Sequence, residues 1–163
     1  MIHARITQRE LFMDHLARQL GEAYCWGANG GTAQDCSGLV TEAMRTFRFL
    51  IDDGHQDMNA HGWLHCFADR GCTVEAPRRG CLIGWDNPHA GHIAVCTDRF
   101  FCIEAGGGGS WTDYKNKPSN DTREEWRRYC IEQGAQVCVR SIERNRTVHL
   151  IVDPFKVMEA DHG

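Results

Sequence analysis

No stretch of this 163-residue chain approaches the roughly 20 apolar residues that a membrane-spanning helix needs; the longest apolar runs are as short as Val148–Val152. There is no basic run either. With a formal charge of -4 and a pI of about 6.1, the electrostatic footprint of a nucleic-acid binder is missing. The first ten residues, Met1 to Glu10, contain no apolar segment of signal-peptide length, so the sequence predicts synthesis in a cytoplasm without an export signal. Internal repeats and Gly/Ser- or Pro-rich linkers are absent, and the length suits one domain spanning 1–163. The nine cysteines (Cys25, Cys36, Cys66, Cys72, Cys81, Cys96, Cys102, Cys130 and Cys138) are odd in number, which excludes a complete disulfide framework. Several, such as Cys81 and Cys96, sit within apolar runs where a thiol acts as a small hydrophobe. With 42% hydrophobic and 25% charged residues, the chain has material for an ordinary core.

Local signals divide the chain into a helical first half and a strand-rich second half. Thr7 and Glu10 have capping-box spacing, and Phe12, Leu16 and Leu20 recur every fourth residue, predicting a helix over 7–20 that ends before Gly21. A loop containing Gly27, Asn29, Gly30 and Gly31 follows. Leu39, Val40, Ala43, Met44 and Phe47 then return to helical spacing, so Cys36 opens a second helix. Met58 to Arg70 predicts a third, shorter helix, closed by Gly71. From Gly80 onward, short apolar runs bounded by turn residues predict strands over 81–85, 92–96 and 100–104, then a long loop containing Gly106 to Gly109. That loop either lets substrate approach the backbone or is simply mobile. A helix capped by Thr122 and Glu125 precedes two last strands over 136–140 and 147–152. Helices first and a mostly antiparallel sheet of about five to six strands later is an α+β arrangement.

Within this frame the segment Tyr24-Cys25-Trp26-Gly27, followed by Asp35-Cys36-Ser37-Gly38-Leu39-Val40, places a cysteine where chemistry favours a nucleophile. The unpaired N–H groups and positive dipole end of a helix start stabilise a thiolate, the reactive form. Asp35 can cap that helix and Gly38 keeps its first turn uncrowded. This block resembles the NlpC-type family of cell-wall cysteine peptidases, which are papain-like: Tyr, Trp and Gly stand upstream of an Asp-Cys-Ser-Gly helix start, with Tyr24 twelve residues before Cys36. The resemblance implies that Cys36 attacks an amide carbonyl, that Tyr24 lies beside it and helps hold the reacting oxygen, and that Asp35 and Ser37 shape the substrate pocket. Trp26 joins them as a candidate substrate contact. Trp26, Trp85 and Trp111 could line a groove, but aromatics of this kind more often fill a core.

A cysteine nucleophile needs an imidazole within hydrogen-bond reach, and the imidazole needs a polar group to fix its tautomer. Among nine histidines, His92 stands out because Gly91-His92-Ile93-Ala94-Val95 resembles the family's histidine-bearing strand and follows the turn Pro77-Arg78-Arg79-Gly80; His89 is its nearest competitor. The family's usual Gly-Asp pair is Gly80-Cys81 here. If Thr97-Asp98-Arg99 forms a three-residue hairpin loop, position 92 faces position 104 with Cβ atoms about 5 Å apart, within reach of a carboxylate–imidazole hydrogen bond. The resemblance places a third polar residue at this separation, most often histidine, so Glu104 is a variation on it.

The chemistry so implied is hydrolysis of an amide bond in the stem peptide of peptidoglycan, often between D-glutamate and the diamino acid, through a thioester and without metal or organic cofactor. The expected partner is bacterial wall peptide, and the lack of an export signal or wall-binding repeat favours a phage-type endolysin or tail-associated hydrolase acting at the host wall. Two alternatives remain. His61, His65, Cys66 and Cys72 lie close in sequence and could form a zinc module, although their spacing is poor for paired structural ligands. A catalytically silent wall-peptide binder is the other.

Overall fold

The computed structural model describes residues 7–30, 33–47, 58–85, 91–143 and 147–157; Gly31, His89 and the first six residues, on which some expectations rested, lie outside them. Each helix begins where a side chain accepts an otherwise orphaned N–H. Thr7 accepts from the Glu10 N–H at 3.2 Å at the start of α1 (Gln8–Ala17), but the Glu10 carboxylate turns away to pair with Arg79 at 2.9 Å, so only half of the expected box forms. Asp35 caps α2 (Cys36–Thr46), and Asn59 caps α3 (Ala60–Ala68). At α4 (Arg123–Glu132) Thr122 and Glu125 satisfy each other reciprocally. The first helix stops before Leu20, which is consequently 42% exposed, while Phe12 and Leu16 point into the core.

Five longer strands, β4 (Leu82–Trp85), β5 (His92–Cys96), β6 (Phe101–Gly106), β7 (Gln136–Ser141) and β8 (Val148–Val152), pair antiparallel in the order β7-β6-β5-β4-β8. Three two-residue strands, β1 (Ala23–Tyr24), β2 (Asn29–Gly30) and β3 (Ala33–Gln34), extend the β7 edge, giving eight strands among the described residues. The five to six strands expected were the longer ones; two-residue strands in a Gly- and Asn-rich loop carry no alternation to read. Among the described strands only β1 and β3 pair parallel.

Strand alternation sorts the core into two clusters. Ile93, Val95, Ile103 and Ala105 pack with Phe12 and Leu16 of α1, Leu39, Val40 and Met44 of α2, and Trp63 and Phe67 of α3. Cys81, Ile83, Ala94, Cys96 and Cys102 form a smaller cluster with Trp85 and Ile142. The Trp63 indole donates to the Thr41 hydroxyl at 2.9 Å, pinning α3 to α2 inside the larger cluster. Glycine decides how closely α3 approaches: a Cβ on Gly84 would lie 2.0 Å from Leu64 Cδ1, so the helix rests directly on the β4 backbone. No disulfide links any of the nine cysteines, and six of them are buried.

Helix α1 and the turn at Arg78 are tied to the end of β8 by fully buried Asp153. Its carboxylate accepts from Arg9 of α1 at 3.1 Å through both oxygens and from Arg78 at 2.8 Å, while the Phe155 N–H adds a bond at 3.1 Å. Burial pushes the Asp153 pKa up, but the two guanidiniums outweigh it and hold the carboxyl below its usual range.

Candidate active site

The excursion from Tyr24 to Cys36 is closed by backbone pairing. Tyr24 stands beside Gln34 in the parallel β1–β3 pair, and the Cys25 N–H donates to the Gln34 carbonyl at 3.0 Å, so Tyr24 lies alongside the strand that leads into Cys36. Asp35 holds the arrangement with both oxygens. Oδ1 accepts from the Gly38 N–H at 2.6 Å and the Ser37 hydroxyl at 3.0 Å, and Oδ2 from the Gly27 N–H at 3.1 Å, where a positive φ of 77° turns the chain after Trp26. Asp35 and Ser37 thus build the helix start that presents Cys36, a half-buried thiol at the first position of α2. Trp26, in the turn beside them, is 46% exposed. Trp111 is also exposed, at 39%, whereas Trp85 is buried.

Burial, reinforced by the neighbouring Cys36 and Asp35, pushes the Tyr24 phenol well above its ordinary pKa, so its hydroxyl keeps a proton to donate. Part of the glycine loop packs closely. A Cβ on Gly108 would lie 2.7 Å from the Tyr24 ring and 2.5 Å from Thr112, and one on Gly107, at φ 90°, 2.2 Å from the Gly134 carbonyl. Tyr24 is wedged in place by the missing side chain of Gly108.

His92 opens β5, and its Nε2 donates to Glu104 Oε2 of β6 at 2.8 Å. The hairpin register differs from the expected one. Val95 pairs with Ile103 and Cys96 with Cys102, because the Asp98 carboxylate accepts from both the Phe100 and Phe101 N–H groups and lengthens the turn by two residues. A slip of two keeps every side chain on its face. Glu104 therefore reaches His92 diagonally and not from directly opposite, across the space left at Gly106, where a Cβ would come within 3.3 Å of the Glu104 carboxylate and 3.6 Å of the His92 ring.

Burial opposes charge on His92, but hydrogen bonding to the Cys36 thiol and to Glu104, together with their negative charge, outweighs it and raises the pKa from 6.5 to about 9. With Nε2 committed to Glu104, Nδ1 is the nitrogen left for Cys36. Glu104 is only 2% exposed, and its other oxygen lies 3.2 Å from Arg140 Nε of β7, an ion pair off the line of a straight hydrogen bond. Sequence reading missed Arg140. Its place follows from β6–β7 pairing, where Glu104 faces Cys138 and Arg140 lies one diagonal step away.

A family model described as the NlpC/P60 family matches residues 21–128. The chain belongs to the NlpC/P60 family. That span holds Tyr24, Asp35, Cys36, Ser37, His92 and Glu104 and stops short of Arg140, so the arginine enters from the part of the chain outside the NlpC/P60 match. A comparison with curated protein sequences finds no match. Among solved structures, the NlpC/p60 domain of peptidoglycan hydrolase SagA is similar at 16% identity and a TM-score of 0.53, over 90% of this chain and 99% of that one. NlpC1 from Trichomonas vaginalis is similar at 19% identity and a TM-score of 0.55, over 94% of this chain and 46% of that one. The peptidoglycan hydrolase RipB from Mycobacterium tuberculosis is similar at 18% identity and 0.53, over 90% and 64%. These likenesses are of fold. They agree with the papain-like α+β arrangement of the NlpC/P60 chain described above.

The residues considered for zinc do not gather. Among the described residues no group of three or more His, Cys, Asp or Glu side chains is placed to hold a metal ion. Cys72 is buried, with its Sγ donating to the Arg70 carbonyl at 3.8 Å, whereas the rings of His61 and His65 lie together, centroids 4.0 Å apart, beside a groove. No helix among the described residues is long and apolar enough to cross a membrane.

Proposed function

We propose that this protein is a cysteine hydrolase that cleaves an amide bond in peptidoglycan stem peptide, with Cys36 as nucleophile, His92 as base and acid, and Glu104 orienting His92. The observation that carries the reading is the chain of contacts from a helix-tip thiol through His92 to a buried carboxylate. The raised His92 pKa makes the ring a strong base beside the thiol at the α2 N-terminus, and in this reading it takes the Cys36 proton to form the attacking thiolate. The thiolate attacks the carbonyl carbon. The oxyanion forms beside the Tyr24 hydroxyl and the Cys36 N–H, which as an initial helical N–H has no partner one turn back. His92 then protonates the departing amine, and water, deprotonated by the neutral imidazole, hydrolyses the thioester. In this reading Asp35, Ser37 and exposed Trp26 border the bound peptide on the Cys36 side.

Wall peptide as substrate is supported by family membership and by the peptidoglycan hydrolases among the similar folds. The 163 residues are proposed to act as one catalytic domain, since the described elements share a single sheet. Digestion of purified sacculi followed by mass spectrometry tests the reading: new amine and carboxyl ends within stem peptides support it, and intact stems reject it. The narrower proposal of a phage-type lysin or tail-associated hydrolase predicts lysis when the purified protein is added to intact cells. A silent peptide binder is distinguished by iodoacetamide, which should alkylate Cys36 faster than the buried thiols near neutral pH.

A further inference from the structure

The groove beside His92 is built by two local departures from regular structure. Gly84 lets α3 settle onto β4, bringing His61 and His65 to the sheet. On the other side the β4–β8 register slips: Gly84 pairs with Leu150 but Trp85 pairs with Val148, leaving His149 as the extra residue of a bulge. Bulges re-aim side chains, and both His149 and Leu150 line the groove. Its walls are His61, His65, His149 and His92, with Leu64 and Leu150 as apolar flanks, and it is open to solvent.

Chemistry fixes what enters. In the reaction proposed above, His92 delivers the proton to the departing amine, so the residue carrying that amine must sit against His92, and this groove adjoins it. Among the described residues, none that lines the groove is acidic, and no three of its imidazoles converge as a metal site. Imidazole N–H groups are donors in both protonation states and match an acceptor of negative charge. We infer that the groove binds the amine-side residue of the substrate and that His61, His65 and His149 select one bearing a free carboxylate. This rests on the assignment of His92 as the acid.

The test compares kcat/KM for L-alanyl-γ-D-glutamyl-diaminopimelate with that for the same tripeptide amidated on the diaminopimelate carboxylates. The wild type should prefer the free acid by about tenfold or more, the scale of one charge-assisted hydrogen bond. Replacing His61, His65 and His149 together by Gln should bring the ratio close to one, and a ratio cancels any general loss of folded enzyme. No preference in the wild type, or one that survives the triple substitution, overturns the inference. If the wild type cleaves neither peptide, the hydrolase reading fails separately, and binding decides: in the Cys36→Ala protein, free diaminopimelate should shift the imidazole NMR signals of His61, His65 and His149 while its diamide does not. Equal shifts, or none, refute the pocket.

Discussion

Replacing Glu104 with Gln keeps the shape of the side chain and removes the charge that faces His92. The rise of the His92 pKa from 6.5 to about 9 corresponds to roughly 3 kcal/mol in favour of the imidazolium, won against burial by Cys36 and Glu104 together. Losing the carboxylate 2.8 Å from Nε2 should lower that pKa by about 1 to 3 pH units, since burial then faces Cys36 alone. In the mechanism above, the imidazolium is the proton donor, so kcat/KM should fall on the alkaline side near pH 9 in the wild type and correspondingly earlier in Glu104→Gln. The pH–rate profile on a stem peptide, paired with an NMR titration of the His92 ring, reads both. Stability follows the same sign: because the folded pKa is raised, the His92 contribution is complete below about pH 6.5 and is lost as the pH rises through about 9. The stability gap between wild type and variant in urea should therefore narrow over that window. An alkaline limb and a ring titration that stay near pH 9 in the variant would refute the reasoning.

Asp153→Asn should cost about 3 to 5 kcal/mol in urea unfolding, because Arg9 and Arg78 lose a fully buried partner; a loss under 1 kcal/mol would show that the latch is incidental. Since the Asp153 pKa is lowered on folding, its contribution is present above the ordinary carboxylate range and should vanish as the pH falls through the lowered value. Gly84→Ala sets a methyl 2.0 Å from Leu64 and should destabilise by about 1 to 3 kcal/mol, with Leu64→Ala in the same chain recovering part of that loss. Gly108→Ala should lower kcat more than it lowers the urea midpoint, because the added methyl displaces the Tyr24 ring; equal effects on both would remove Tyr24 from the oxyanion role.

Local signals proved the most legible. Thr7, Asp35 and Thr122 each cap the helix that the sequence assigned to them, since a cap needs only residues three apart. The meeting of His92 and Glu104 was also readable although the hairpin register was not: a two-residue strand period forgives an even slip, and only the Asp98 turn decides its size. Arg140, the close approach at Gly84 and the bulge at His149 were invisible because each acts through partners far away in sequence. His61 and His65 illustrate the same limit. Their four-residue spacing announced a shared helix face, but what that face meets is set by β4 and β8.

The most direct measurement is mass spectrometry of sacculi treated with wild-type protein and, in parallel, with Cys36→Ala protein shown by circular dichroism to be folded. New amine ends within stem peptides in the first sample and none in the second is the predicted result. Cleavage by the alanine variant, or no cleavage by the wild type, would contradict the thiol chemistry assigned to Cys36.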